Sequence, residues 1–209
     1  MSEHCDFSVK FWGVRGSISI SDPNSVRYGG NTSCLEVRCG DRLLIFDAGS
    51  GLRYFGNELV ESGEIVNADL FLTHTHYDHI CGIPFFKPFF NPQNTFRLRA
   101  GHLLPETDLR AVLCNLMTSP LFPVPLEIFQ SKIEFHDFLV GDTLNAGPDV
   151  VVRTASLNHP DGASGYRVEY NGQAICYLTD TEHVAGELDQ AILELIDGAD
   201  IVIYDSMFT

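Results

Sequence analysis

Apolar and polar positions change period several times along the chain, and each change marks an element. "FSVKFWGVRG" (7–16) alternates with period two and stops at glycines, which predicts an opening strand. "SISISDPNSVRYGGN" follows as a loop rich in Ser, Gly, Asn and Pro. "TSCLEVRCGDRLLIFDAG" reads as a hairpin: a strand, a tight "CGD" turn, and a buried strand ending at Asp47. "LRYFGNELVES" has the spacing of a short amphipathic helix, and "ADLFLTHT" that of another strand. "DVVVRTASLNHP" predicts a strand that delivers His159 at its end. "GYRVEYNGQAICYLTD" predicts a hairpin around Asn171-Gly172, a dipeptide favoured in type I′ turns, and it ends at Asp180. "GELDQAILELIDG" predicts a helix with Leu188, Ile192, Leu195 and Ile196 on one face and Gly198 as its stop. "ADIVIYDS" is a last strand, ending at Asp205.

Residues 84–130 follow no such pattern. "IPFFKPFFNP" and "SPLFPVPLEIFQ" are aromatic and Pro-rich around a helix candidate, "ETDLRAVLCNLM". Proline interrupts regular pairing, so loops and short pieces are expected there. The phenylalanines serve either as the wall of a pocket or interface, or as core. Elsewhere a regularity emerges: His74, Asp180 and Asp205 each directly follow an apolar strand, and His159 closes another. Such groups converge if the strands lie side by side, which predicts layered α/β architecture with a site along one sheet edge.

Length and composition narrow the class. The chain has 209 residues, enough for a single domain (1–209) with a sizeable core. No apolar run reaches membrane-spanning length, and the start has no basic segment followed by an apolar one, so a cytoplasmic protein without a membrane partner is expected. The six cysteines form no CxxC pair and read as small apolar residues; Cys81, close to His79, reads as support for a site. The net charge of −15 argues against a long nucleic acid, whose binding depends on Lys and Arg, but not against a small phosphoester. A homo-oligomer stays open.

The stretch that carries chemistry is "LFLTHTHYDHICGIPFF". His74, His76, Asp78 and His79 form H-x-H-x-D-H immediately after an apolar run. Imidazole and carboxylate are zinc-type ligands. Two histidines two apart suit extended backbone with both rings on one side, whereas Asp78 and His79 fall where the chain must turn and aim elsewhere. Two ligand pairs directed at two nearby centres is the economical arrangement, with further ligands from distant segments and one bridging oxygen. His159, before "PDG", and Asp180, in "YLTDTE", are the candidates. Asp180 also suits a helix N-cap. His4, His102, His136 and His183 lack such placement and read as surface or core.

Taken together, "FWGVRGS", "YGGNTSCLEV", "IFDAGSGLR", "FLTHTHYDHICGIPFF", "LTDTE" and "IVIYDSMF" resemble the landmarks of the metallo-β-lactamase-fold hydrolase superfamily, in its RNase Z and phosphodiesterase-like branch. The resemblance implies a four-layer αββα sandwich. It implies one metal on His74, His76 and His159, and a second on Asp78, His79 and bridging Asp180. Asp47 becomes a structural acid beneath the site, and Asp205 an acid that orients a catalytic histidine. The pattern continues in that branch to a Gly-His-Ser-type histidine and a final histidine ligand, with a last strand and helix. None of these is in the 209 residues: an early stop is the first expectation, with a protein that lacks them or a second chain that supplies them as the alternatives, and a weakened second site and an exposed sheet edge follow.

The chemistry so implied is hydrolysis by hydroxide on two divalent ions, zinc first, with manganese or iron as alternatives. Asp78, Asp180 and Asp205 are the candidate catalytic acids. A phosphodiesterase acting on a small or cyclic nucleotide, or a similar phosphoester, is the leading expectation. A lactone, thioester or amide hydrolase using the same metals is the alternative within catalysis. A non-catalytic metal-binding sensor or interaction module is the alternative outside it.

Overall fold

The computed structural model describes residues 6–206; Cys5 and His4 lie outside them. Six strands form the first sheet: β1 (Phe7–Gly13), β2 (Cys34–Cys39), β3 (Arg42–Phe46), β4 (Asn67–Leu72), β5 (Thr95–Ala100) and β6 (Lys132–Asp137), in that spatial order. β1, β2 and β3 pair antiparallel; from β3 to β6 the pairing is parallel. The second sheet runs β11 (Ile201–Tyr204), β10 (Gln173–Leu178), β9 (Ala163–Tyr170), β8 (Val151–Leu157) and β7 (Thr143–Asn145). It is antiparallel except for β10 with β11. Four helices complete the elements used below: α1 (Gly51–Ser62), the single turn α2 (Tyr77–Ile80), α3 (Leu109–Leu116) and α4 (Gln190–Ile196).

Three apolar clusters make this a four-layer sandwich. Along β3, Leu43 and Ile45 face α1 and the phenylalanine segment, while Leu44 and Phe46 face the second sheet. That strand is buried on both faces, which is why it reads as a continuous apolar run. Between the sheets, Phe46 and Phe71 pack against Tyr166 at ring distances of 5.2 and 5.6 Å. On the far side, Ile192 and Leu195 of α4 cover Cys176 and Leu178 of β10. Helix, sheet, sheet and helix thus follow in order, as the αββα resemblance implies.

Several expectations need adjusting. The 84–130 region is irregular around its prolines, but "TFRLRA" within it is a full strand, β5. Phe96, Leu98 and Ala100 alternate with Arg97 and Arg99, a short pattern of period two set among Pro-rich stretches. Phe86 and Phe89 are fully buried and belong to core, whereas Phe85 stays half exposed. Leu188 lies outside α4 and is exposed, because Asp189 caps the helix by accepting the Ile192 N–H (3.1 Å). Among the described residues all five cysteines are free, and no helix is long and apolar enough to cross a membrane.

Candidate metal centre

The ligand-type side chains come from both sheets. Their meeting place is the common end of the sandwich rather than the edge of a single sheet. His74 and His76 follow β4; His76 is still extended (φ −62°, ψ 153°), and α2 then turns the chain so that His79 points back. His159 follows β8 in a turn closed by the Gly162 N–H donating to the His159 carbonyl (2.9 Å). Asp180 follows β10 with φ 53°, and Asp47 follows β3 with φ 59°. Both adopt the left-handed conformation that Asp tolerates better than most residues, and it swings the carboxylate away from the strand direction. The loop after Asp47 packs closely on α2: the Ala48 N–H donates to the His79 carbonyl (2.7 Å), and a Cβ on Gly49 would run into the Asp78 carbonyl oxygen.

Two groups of ligand atoms result. His74, His76 and His159 make one; His74, His79 and Asp180 make the other; within each, the atoms lie within 4.8 Å of one another. His159 Nε2 is 3.0 Å from His76 Nδ1. Asp180 Oδ2 is 2.7 Å from His79 Nε2 and 3.7 Å from His74 Nε2. Asp78 Oδ2 is 3.5 Å from His79 Nε2 and accepts the Ser17 backbone N–H at 2.8 Å. Ligands at about 2.0–2.1 Å from a tetrahedral zinc ion stand roughly 3.3 Å apart, so these spacings suit a shared cation. His74 is common to both groups, and Asp180, a member of the second, stands beside it.

An independent observation agrees. His79 Nε2 is buried yet has no hydrogen bond of proper geometry, despite the nearby Asp180 oxygen. Its one close neighbour is that carboxylate, so the atom is served either by a proton facing Asp180 or by a cation bound between them. The other ring nitrogen is fully engaged: Nδ1 is 2.9 Å from Asp47 Oδ2. Asp47 is wholly buried and also accepts the Thr73 N–H (2.8 Å), the Thr73 hydroxyl (2.9 Å) and the Tyr177 hydroxyl (2.9 Å). A carboxylate behind a histidine selects the tautomer whose outer nitrogen carries the lone pair.

Electrostatics separate the two groups. Burial, with His79 beside it, pushes His74 down to about 2, so that ring is neutral. Burial lowers His159 as well. Burial would also lower His79, but the carboxylates of Asp47 and Asp180 outweigh it and hold that ring up to about 10. Asp180 is lowered: burial opposes the shift, and His79 overrides it. The second group therefore demands a positive charge, whether a proton or a metal.

Other sequence candidates fall into place around this core. The Asp205 carboxylate accepts the Asp180 N–H (3.2 Å) and braces the turn that aims Asp180. Asp161 of "PDG" stands 3.6 Å from His76 Nε2. Asn31 anchors backbone nearby: its carbonyl accepts the Val14 and Arg15 N–H groups (3.0 and 2.9 Å). Half-buried Cys81 faces the Thr32 hydroxyl at 3.8 Å. His102, read as surface or core, sits just past β5 with Nε2 3.1 Å from the Thr75 hydroxyl, between the two histidines of the motif. Its place just past β5 becomes a signal only once "TFRLRA" is read as a strand. The Ser17 contact had none, because a backbone donor leaves no mark in a loop sequence.

Fold and site together define a metal-binding αββα protein of the metallo-β-lactamase type. The beta-lactamase superfamily domain matches residues 42–209, and the chain belongs to that family, most of whose members are metal-dependent hydrolases that bind divalent ions. Among solved structures, human tRNase Z, short form, is similar at 18% identity and a TM-score of 0.64, over 93% of this chain and 76% of that one. Zn(2+)-bound PqqB from Methylobacterium extorquens is 18% identical with a TM-score of 0.62, over 94% and 70%. A diphosphatase from the PhnP family is 17% identical with a TM-score of 0.63, over 93% and 72%. At these identities the likeness concerns the fold. Comparison with curated protein sequences finds no match.

Proposed function

We propose that the chain is a binuclear metal-dependent phosphodiesterase acting on a small or cyclic nucleotide or a similar phosphoester. One observation carries this: two three-residue ligand groups share His74 and lie at the end of both sheets. His74, His76 and His159 would hold one divalent ion. His79 and Asp180 would hold the other, with Asp78, 3.5 Å from His79 Nε2, in place of His74, whose outer nitrogen serves the first ion, and with Asp180 between the two. Zinc suits the donors best, because imidazole and carboxylate at tetrahedral spacing are its usual ligands. Bound there, the ions would acidify water and offset charge on phosphoryl oxygens. The chain's own part is orientation: Asp47 sets the His79 tautomer, Asp205 braces Asp180, and Ser17 steadies Asp78. The likeness to a tRNase and a diphosphatase supports phosphoester chemistry, and the net charge of −15 favours a small substrate.

The test is release of phosphomonoester from bis(p-nitrophenyl) phosphate by protein loaded with zinc or manganese. Activity should fall at least about 100-fold in His159→Ala and Asp180→Ala. Turnover of lactones or thioesters without phosphodiesters would move the reading to the other hydrolase class. Stoichiometric metal with no turnover of any ester would point to a sensor.

Metal uptake should depend on pH in two distinct ways. His79 carries a proton up to about 10, and a cation must displace it. Affinity at the second centre should therefore rise about tenfold per pH unit from neutrality towards that value. His74 and His159 are held neutral, so they add no such slope at the first centre above pH 7. Calorimetric zinc titrations between pH 7 and 9 in buffers of different ionisation enthalpy report the protons released. Zero release at both centres contradicts the assignment.

A further inference from the structure

An acidic protein that works on a phosphoester must still attract an anion. A cleft of about 480 Å³ runs beside Asp180, between the end of β1 and β11. Its walls include two carboxylates, Asp180 and Asp205, and one cation, Arg15; Phe11, Leu35 and Ile203 supply an apolar side. The Arg15 backbone is fixed: its N–H donates to the Asn31 carbonyl (2.9 Å), and it bridges to Thr32. Two residues later, the Ser17 N–H holds Asp78 (2.8 Å). The segment 15–17 is thereby tied to the scaffold at one end and to the candidate second centre at the other.

The Arg15 side chain is exposed, and among the described residues no carboxylate forms an ion pair with it, although two acids share its cleft. Arg38, Arg42 and Arg97, by contrast, each hold an acid at 3.0 Å or less. Arg27 and Arg53, which hold no acid among the described residues, lie over the Tyr28 and Tyr54 rings at 5.0 and 6.0 Å, so an arginine placed for structure here has a partner. One kept open beside a reaction centre is available to a ligand, and its planar fork matches two oxygens of a phosphoryl group.

We propose that Arg15 is the anion-recognition residue of this site. It holds a non-reacting phosphoryl oxygen of the substrate, while the Phe11 and Ile203 wall receives the organic group. The substrate class is then an organic phosphodiester with an apolar or aromatic ester group. This rests on the phosphodiesterase reading above, but it has a readout of its own.

The experiment compares wild type, Arg15→Met and Arg15→Lys as metal-loaded full-length chains. Two quantities are read: kcat/KM for bis(p-nitrophenyl) phosphate, and the calorimetric Kd for inorganic phosphate. Arg15→Met should lose about 10- to 100-fold in kcat/KM and weaken phosphate binding about tenfold or more, with metal content unchanged. Arg15→Lys should recover part of both, because it restores charge without the fork. Equal phosphate affinity in wild type and Arg15→Met, or no binding by wild type, overturns the assignment. If phosphate affinity falls as expected while wild type cleaves no phosphodiester, Arg15 stands and the phosphodiesterase reading fails. If wild type cleaves the diester and Arg15→Met matches it, the reading stands and Arg15 fails.

Discussion

Replacing Asp47 with asparagine is expected to lower metal affinity about 10- to 100-fold and to weaken the fold by about 3 kcal/mol. Asp47 is wholly buried and serves donors from Thr73, Tyr177 and His79 at once. Asparagine is the informative substitution because residue 47 has φ 59°, a conformation Asn also tolerates. The backbone is kept while the charge is lost and an NH2 group faces former donors. His79 then has no acceptor behind Nδ1, so when a cation displaces one of its protons the remaining one is no longer held on Nδ1 and Nε2 is not reserved for the metal. Metal titration and urea unfolding measure the two effects. Zinc affinity equal to wild type would show that Asp47 does not set that tautomer.

The same substitution should change how the metal-free fold responds to pH. His79 is raised from 6.5 to about 10 on folding, so its contribution to stability is complete below about pH 6.5. It is lost as pH rises towards 10. Asp47→Asn should remove most of that decline, because Asp47 is the chief charge raising His79.

The second large effect lies away from the site. Asp69→Ala is expected to cost about 3–5 kcal/mol, or roughly 10 °C in Tm for a chain of this size. Asp69 is fully buried on β4 and holds three arginines: Arg42 at 2.7 Å, Arg97 at 2.9 Å and Arg99 at 2.8 Å. Alanine leaves three largely buried guanidinium groups without a counter-charge. Asp69 is five residues before His74, about 16 Å along extended chain, so metal stoichiometry should not change. A Tm within 2 °C of wild type, on the order of the effect of 1 kcal/mol or less, would mean that solvent already screens these charges. Loss of metal together with stability would mean that the strand does not insulate its two ends.

Most strands were legible because apolar alternation survives wherever one face is buried. β5, β6 and β7 were not: "TFRLRA" does alternate but stands among Pro- and Phe-rich stretches, β6 opens just past them, β7 is three residues long, and only Asp69, distant in sequence, explains Arg97 and Arg99. The helix after "GELD" was legible in kind but not in its start, because Asp and Gly each signal a cap and only the Asp189 hydrogen bond distinguishes them. His102 was passed over because a lone histidine carries no spacing information.

The sequence by itself determined the chemical type of the site. H-x-H-x-D-H after an apolar strand restricts where its rings can point, and local geometry alone permits that inference. It also determined that His159, Asp180 and Asp205 close strands, since strand ends are written in local composition. Only the tertiary structure decided that those ends belong to two different sheets and meet at one end of the sandwich. It alone decided that Asp47 lies behind His79 and that Arg15 stands in the cleft beside Asp180. Such pairings join residues tens of positions apart, and the burial that selects them is a property of the packed layers, which no local period records.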